Sequence, residues 1–222
     1  MTYTHRPTRS SAHWLIMKTP LDHHEADRTG LVQAARLFSN IVSPPVMFAI
    51  LGLVFALYER PSLQGFLWAA VYGFFVALLP ILIVLWLLKT GRIAELHMSN
   101  TKERHLPYLT AVLSALTAFA LISFFDGPEL LRCLTLFNAI ELALLGLINV
   151  VWLISIHATG IMATMLLVGL VFGWAASLIV LPFVVLVCWV RLYLKRHNPL
   201  QILGGLALGA AVVYAMTLIG CF

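Results

Sequence analysis

The chain has 222 residues, of which 61% are hydrophobic and 10% charged, and its mean hydropathy is +0.96. Soluble domains carry roughly 25% charged residues, so a soluble globular enzyme is excluded, as is a disordered chain. The 14 Lys+Arg exceed the 9 Asp+Glu, for a net charge of +5, and 8 His accompany them. The apolar residues arrive in long runs, which predicts an all-α polytopic transmembrane bundle. About seven spans are expected, or six if the 158–190 run or the first span is counted differently.

Residues 1–40 form a polar segment without the apolar core of a signal peptide. Within it, Thr29–Ile41 places Leu31, Val32, Ala35, Leu37, Phe38 and Ile41 at helical spacing, with Arg28 and Arg36 among them. That pattern predicts an interfacial helix leading into the bundle, which occupies 41–222. The His23–His24 pair lacks a second flanking ligand pair and reads as a solvated surface pair.

The first span is expected over Ser43–Tyr58, with Pro44 and Pro45 in its first turn, where missing N–H groups cost little. Glu59-Arg60-Pro61 makes a turn. The second span covers Leu63–Leu88, with a kink expected at Pro80. A polar stretch, Lys89–His105, leads to a third span over Pro107–Phe125 and a turn at Asp126-Gly127-Pro128. The fourth span is expected over Leu131–Ile154. The run Ala158–Val190 is too long for one span and suffices for two, with a turn in Gly173–Ser177 and a kink at Pro182. Arg191–Gln201 is polar, and a last span over Leu200–Cys221 carries Gly204, Gly205 and Gly209 for close helix packing.

Cys133, Cys188 and Cys221 lie in or beside apolar runs without CxxC spacing, and read as buried small hydrophobes with no disulfide or metal role. With seven spans, twelve of the fourteen Lys and Arg fall on one face, leaving Arg60 and Arg132 on the other. The positive-inside rule then puts the N-terminus and the polar clusters in the cytosol, in a multi-pass protein of the plasma membrane.

Parity also brings three clusters to that face: His97–Arg104, Ser155–His157 and Arg191–His197. Arginine presents a planar fork of donors suited to phosphate oxygens, and two histidines supply a nucleophile and a proton donor for phosphoryl transfer. In the first cluster, His97 stands seven residues before Arg104, within Glu103-Arg104-His105-Leu106-Pro107. The second reads Ser155-Ile156-His157-Ala158-Thr159-Gly160. The third runs from Arg191 through His197 to Gln201 and is followed by Gly204-Gly205.

In order and spacing these motifs resemble those of the type-2 phosphatidic acid phosphatase superfamily, membrane lipid phosphatases related in fold to vanadium haloperoxidases. The likeness is greatest to a divergent bacterial branch with E-R-x-x-P, S-x-H-x-x-G and R-x5-H-x-P-x-Q. It covers most of the chain from about residue 43. The resemblance implies hydrolysis of a lipid phosphate or diphosphate, of the phosphatidic acid or isoprenyl diphosphate type, through a phosphohistidine on His197. His157 would protonate the leaving group, Arg104 and Arg191 would hold the phosphate oxygens, and Ser155 would add a hydroxyl donor. No metal or other cofactor is implied. Membrane lipids and a lipid phosphate are the expected partners, not nucleic acid, and a homo-oligomer stays open. His97 stands where the family has lysine, Val190 where it has serine, and Gln201 where it has the aspartate that orients the nucleophile. These departures predict weaker phosphate binding and a less stabilised imidazolium. They also favour an alternative, a non-catalytic lipid-phosphate-binding or structural membrane protein derived from that family.

Glu141 lies mid-span, with Asn138 and Asn149 on the same helix face, so all three should line the bundle interior. A protonated carboxyl hydrogen-bonded to a neighbouring helix is the favoured reading. A proton path or a transporter-like role competes with it, but no inverted repeat is evident.

Overall fold

The computed structural model describes residues 30–93 and 101–222, and among these the regular structure is entirely helical. The helices are α1 (Gly30–Ile41), α2 (Pro44–Glu59), α3 (Leu63–Lys89), α4 (His105–Phe124), α5 (Glu129–Ile148), α6 (Ile156–Phe172), α7 (Trp174–Tyr193) and α8 (Pro199–Leu218). Lipid offers no hydrogen-bond partners, so a chain this apolar must satisfy its backbone internally, and helices do so segment by segment. Among the described residues, five helices are long and apolar enough to cross a membrane, and α1 with α2, bent by 45°, makes a sixth candidate. The shorter apolar α6 brings the bundle to roughly six or seven spans.

Several boundaries differ from expectation. The fourth span ends at Ile148, not Ile154, because Asn149 caps it and 149–155 run as turn and extended chain. The last helix ends at Leu218. The long 158–190 run does split in two, at Gly173 alone, whose φ of 91° breaks the helix, while Ser177 lies inside α7. In α3 the irregularity is a π-turn at Phe74–Leu78, just before Pro80. Proline lacks an N–H and its ring crowds the carbonyl four residues back, here Val76, so the wider turn relieves that crowding. The Ser114 hydroxyl of α4 donates to the Phe75 carbonyl within it.

Short connections alternate the spans and so create two ends. One end holds Glu59–Ser62, Phe125–Pro128, Gly173 and the C-terminus. There both Glu59 carboxylate oxygens accept from the backbone N–H groups of Glu129 and Leu130, at 2.7 and 2.8 Å. A carboxylate on the orphan N–H groups of α5 satisfies them and complements the helix dipole. Arg60 donates to the Asp126 carbonyl at 2.9 Å, and Arg132 pairs with Glu129. Cys133 and Cys221 form a disulfide at this end. This corrects the reading of three unpaired cysteines: α8 ends at Leu218, and the positive φ of Gly220 turns Cys221 back onto α5. Cys188 stays a free thiol.

The core lies between α2, α3, α5, α6 and α8, around Phe48, Phe55, Tyr72, Phe137 and Leu167. Leucines, phenylalanines and tryptophans exposed on α3, α4 and α7 form the outer, lipid-facing surface. In lipid the helices associate by packing, and small residues permit the closest approach. At Gly205 and Gly209 of α8, α6 comes so close that an added Cβ would press on the carbonyl oxygens of Ser155 and Thr159. Gly204 instead faces the Trp152 and Ile154 side chains.

Candidate functional site

The other end of the bundle holds the start of α2, the segment before α4, the 149–155 connection and the α7–α8 turn. It gathers the sequence motifs. Arg104 closes a 3-10 turn, Thr101–Arg104, leading into α4. His157 is the second residue of α6, and Arg191 sits in the last turn of α7. His197 lies in the turn to α8. His97 lies outside the described residues, as do His23 and His24.

The α7–α8 turn is a Schellman motif. The Arg196 N–H bonds the Arg191 carbonyl at 3.1 Å, the Lys195 N–H bonds the Leu192 carbonyl at 2.9 Å, and Lys195 has a φ of 53°. This geometry stacks the sixth residue over the first. Here both are arginines, and both are buried, at 7% and 8% exposure. The turn then delivers His197 into the same buried region. Next comes a capping box: Asn198 Oδ1 accepts from the Gln201 N–H at 2.9 Å, and Gln201 Oε1 accepts from the Asn198 N–H at 3.1 Å.

His197 is within electrostatic reach of Arg191 and Arg104, and His157 of Arg191, His197 and Arg196. Burial, followed by the guanidiniums of Arg191 and Arg104, pushes the His197 imidazole down to about 3, while Gln201 and the Leu153 carbonyl pull the other way. At neutral pH the ring is therefore uncharged, and its Nδ1 is buried with no hydrogen-bond partner among the described residues. The two arginines, two histidines and Gln201 thus converge from segments distant in sequence.

Ser155 is fully buried as the N-cap of α6. Its Oγ accepts from the Ala158 N–H at 3.3 Å, and its own N–H bonds the Gln201 carbonyl at 3.1 Å. Its hydroxyl oxygen is engaged in the cap, and its backbone ties α6 to α8. Gln201 likewise places its side-chain oxygen in the capping box, and its side chain is also hydrogen-bonded to His197. The Asn-x-x-Gln spacing from Asn198 to Gln201 carried this signal in the sequence.

The residue that sequence reading missed is Ser39. Helix α1 packs on α7 through Val32 and Ala35 against Val190 and Leu194, and Ser39 continues that buried stripe. Arg191 donates to Ser39 Oγ at 3.2 Å, and His157 Nε2 lies 3.2 Å from the Ser39 carbonyl oxygen. A carbonyl only accepts, so His157 carries a proton on Nε2. The spacing of Val32, Ala35 and Ser39 was legible as one helix face with a polar residue on its inward side. Beside this contact, a groove of about 390 Å³ opens between α1 and the α7–α8 turn, lined by Gln33, Arg36, Leu37, Asn40 and Arg196.

Asn138, Glu141 and Asn149 line the interior, as expected from their shared face. Asn138 donates to the Tyr72 hydroxyl and Asn149 to the Tyr108 hydroxyl, each at 2.9 Å. Glu141 Oε1 has no hydrogen-bond partner among the described residues, so the expected bond to a neighbouring helix is not made by that atom.

No family model, curated protein or solved structure matches this chain.

Proposed function

We propose that the chain is a membrane-embedded phosphatase that hydrolyses a lipid phosphate or diphosphate through a phosphohistidine, in a multi-pass protein of the plasma membrane. The observation that supports this reading is the convergence of Arg104, Arg191, His157 and a neutral, buried His197 at one end of the bundle. A neutral imidazole keeps its lone pair for attack on phosphorus, and flanking guanidiniums favour the charge that develops on the phosphate oxygens. In the first step a His197 ring nitrogen bonds to phosphorus as the bond to the lipid oxygen breaks, and His157, doubly protonated once the anionic phosphate is bound, gives that oxygen its extra proton and becomes neutral. In the second step His157 takes a proton from water, whose oxygen attacks phosphorus. The phosphohistidine bond breaks, and inorganic phosphate and a neutral His197 result.

The site would face the cytosol. Two features agree on this. Twelve of the fourteen Lys and Arg fall on its side by chain alternation, and the Cys133–Cys221 disulfide lies at the opposite end, as an oxidising exterior requires.

The test is phosphate release from phosphatidic acid or an isoprenyl diphosphate by detergent-purified protein, expected to be insensitive to EDTA. His197→Ala should lower the rate by at least a hundredfold, and equal rates for the two proteins would end the catalytic reading. A second reading, phosphate binding without turnover, is favoured by the neutral amide of Gln201 beside His197, which cannot stabilise an imidazolium as a carboxylate does. It predicts saturable vanadate binding with no release of phosphate.

A further inference from the structure

Helix α1 has a role in the site that its sequence pattern does not announce. Gln33, Arg36, Leu37 and Asn40 recur at helical spacing and form one wall of the groove, and Leu194 and Arg196 form the other. Its volume of about 390 Å³ falls within the roughly 300–1,000 Å³ typical of small-molecule sites, well beyond a bare phosphate. Ser39, at the base of the same wall, holds Arg191 through its hydroxyl and His157 through its carbonyl, both at 3.2 Å. The groups that would receive a phosphate are thus occupied by α1 itself.

We propose that this groove is a docking site for the phosphate-bearing headgroup of a membrane lipid, and that Ser39 is a latch between it and the histidines. The proposal rests on the phosphatase reading and deepens it. Arg36 and Arg196 line the two walls of the groove, and guanidinium is the side-chain group whose planar donors suit a phosphate's oxygens. Gln33 and Asn40 add amide donors for the neighbouring polar groups. Leu37 lies in the wall, largely exposed, and Leu31 and Ile41 extend the apolar surface of α1, which leads directly into α2. That surface suits a helix lying in the bilayer interface, where a headgroup reaches the groove without leaving the membrane. To pass from groove to His197, the phosphate must replace the Ser39 hydroxyl on Arg191 and free His157 Nε2 from the Ser39 carbonyl. Both exchanges substitute a charged acceptor for a neutral one, the direction in which hydrogen bonds to guanidinium strengthen.

The experiment uses the full chain in phosphatidylcholine nanodiscs, with dioleoyl phosphatidic acid retention read by native mass spectrometry and inorganic phosphate binding read by calorimetry. Arg36→Gln should weaken phosphatidic acid binding at least tenfold while changing inorganic phosphate binding less than twofold. Ser39→Ala should tighten inorganic phosphate binding two- to fivefold, since Arg191 loses its resident acceptor. Arg191→Gln should abolish both. Equal losses of both ligands in Arg36→Gln would overturn the assignment of a lipid headgroup to the groove. No change in Arg36→Gln, with both ligands lost in Arg191→Gln, would overturn the groove alone and leave the phosphatase reading standing. Retention of both ligands by Arg191→Gln would overturn the site as a whole. Melting curves and elution profiles matched to the unsubstituted protein identify variants that have folded.

Discussion

Gly205→Ala is the most direct test of how the fold places the site. A Cβ at position 205 would sit 2.6 Å from the Ser155 carbonyl oxygen and 3.1 Å from Thr159 Oγ1, where ordinary contact begins at 3.4 Å. The obstacle is backbone, which has no rotamer to escape into, so α6 and α8 must separate by about 0.8 Å, the difference between 3.4 and 2.6 Å. Overpacking of this kind costs about 1–3 kcal/mol. The same contact joins the N-cap of α6, two residues before His157, to the second turn of α8, the helix that follows His197. The shift would therefore open the distance between the two histidines. A misplacement of 1 Å costs about a hundredfold in rate, so activity should fall roughly 10–100-fold. Gly73→Ala is the control: an added Cβ there meets nothing within 4 Å and the backbone is helical, so stability should hold or rise by up to about 1 kcal/mol. The assays are phosphate release and thermal unfolding in the same detergent. A Gly205→Ala protein that melts and turns over like the unsubstituted one would refute the argument that this close approach positions the site.

The remaining predictions concern charge, covalent structure and backbone conformation. His197 binds its proton at about 3 when folded against an ordinary value of 6.5, so the folded state holds fewer protons than the unfolded state between those limits. Its contribution is present in full above 6.5 and is lost as pH falls toward 3, about 2 kcal/mol by pH 5. Melting scans at pH 7 and 5 should show that loss in the unsubstituted protein and a smaller one in His197→Gln. The Cys133–Cys221 disulfide spans 88 residues, a closure worth up to about 4–5 kcal/mol, so reduction or Cys221→Ser should lower the melting temperature. Alkylation of the unreduced protein should label Cys188 alone, and labelling of all three would contradict the pairing. Lys195 holds a left-handed conformation that glycine adopts freely, so Lys195→Gly should stabilise the protein by about 0.5–1 kcal/mol in the same melts.

The sequence alone determined the helical bundle, because lipid requires long apolar runs and turns need residues such as Asp126, Gly127 and Gly173. It also determined that the Arg104, His157 and His197 motifs share an end, since alternation of spans is a matter of counting. The fourth span was overdrawn because Val150, Val151 and Trp152 continue the apolar composition past the cap at Asn149, and hydropathy does not register where hydrogen bonding stops. Only the tertiary structure decided which distant groups meet. Cys133 and Cys221 pair because α5 and α8 end side by side, a fact of packing with no trace in their 88-residue separation. Ser39 reaches Arg191 and His157 because α1 lies along α7, and a single polar residue on a short amphipathic helix does not reveal its partner. Gln201 serves the helix cap as well as His197, because local hydrogen bonds within one turn form wherever the backbone allows. The composition of an element is written in the chain, but side-chain proximity depends on how elements pack, and the chemistry of this end of the bundle depends on that proximity.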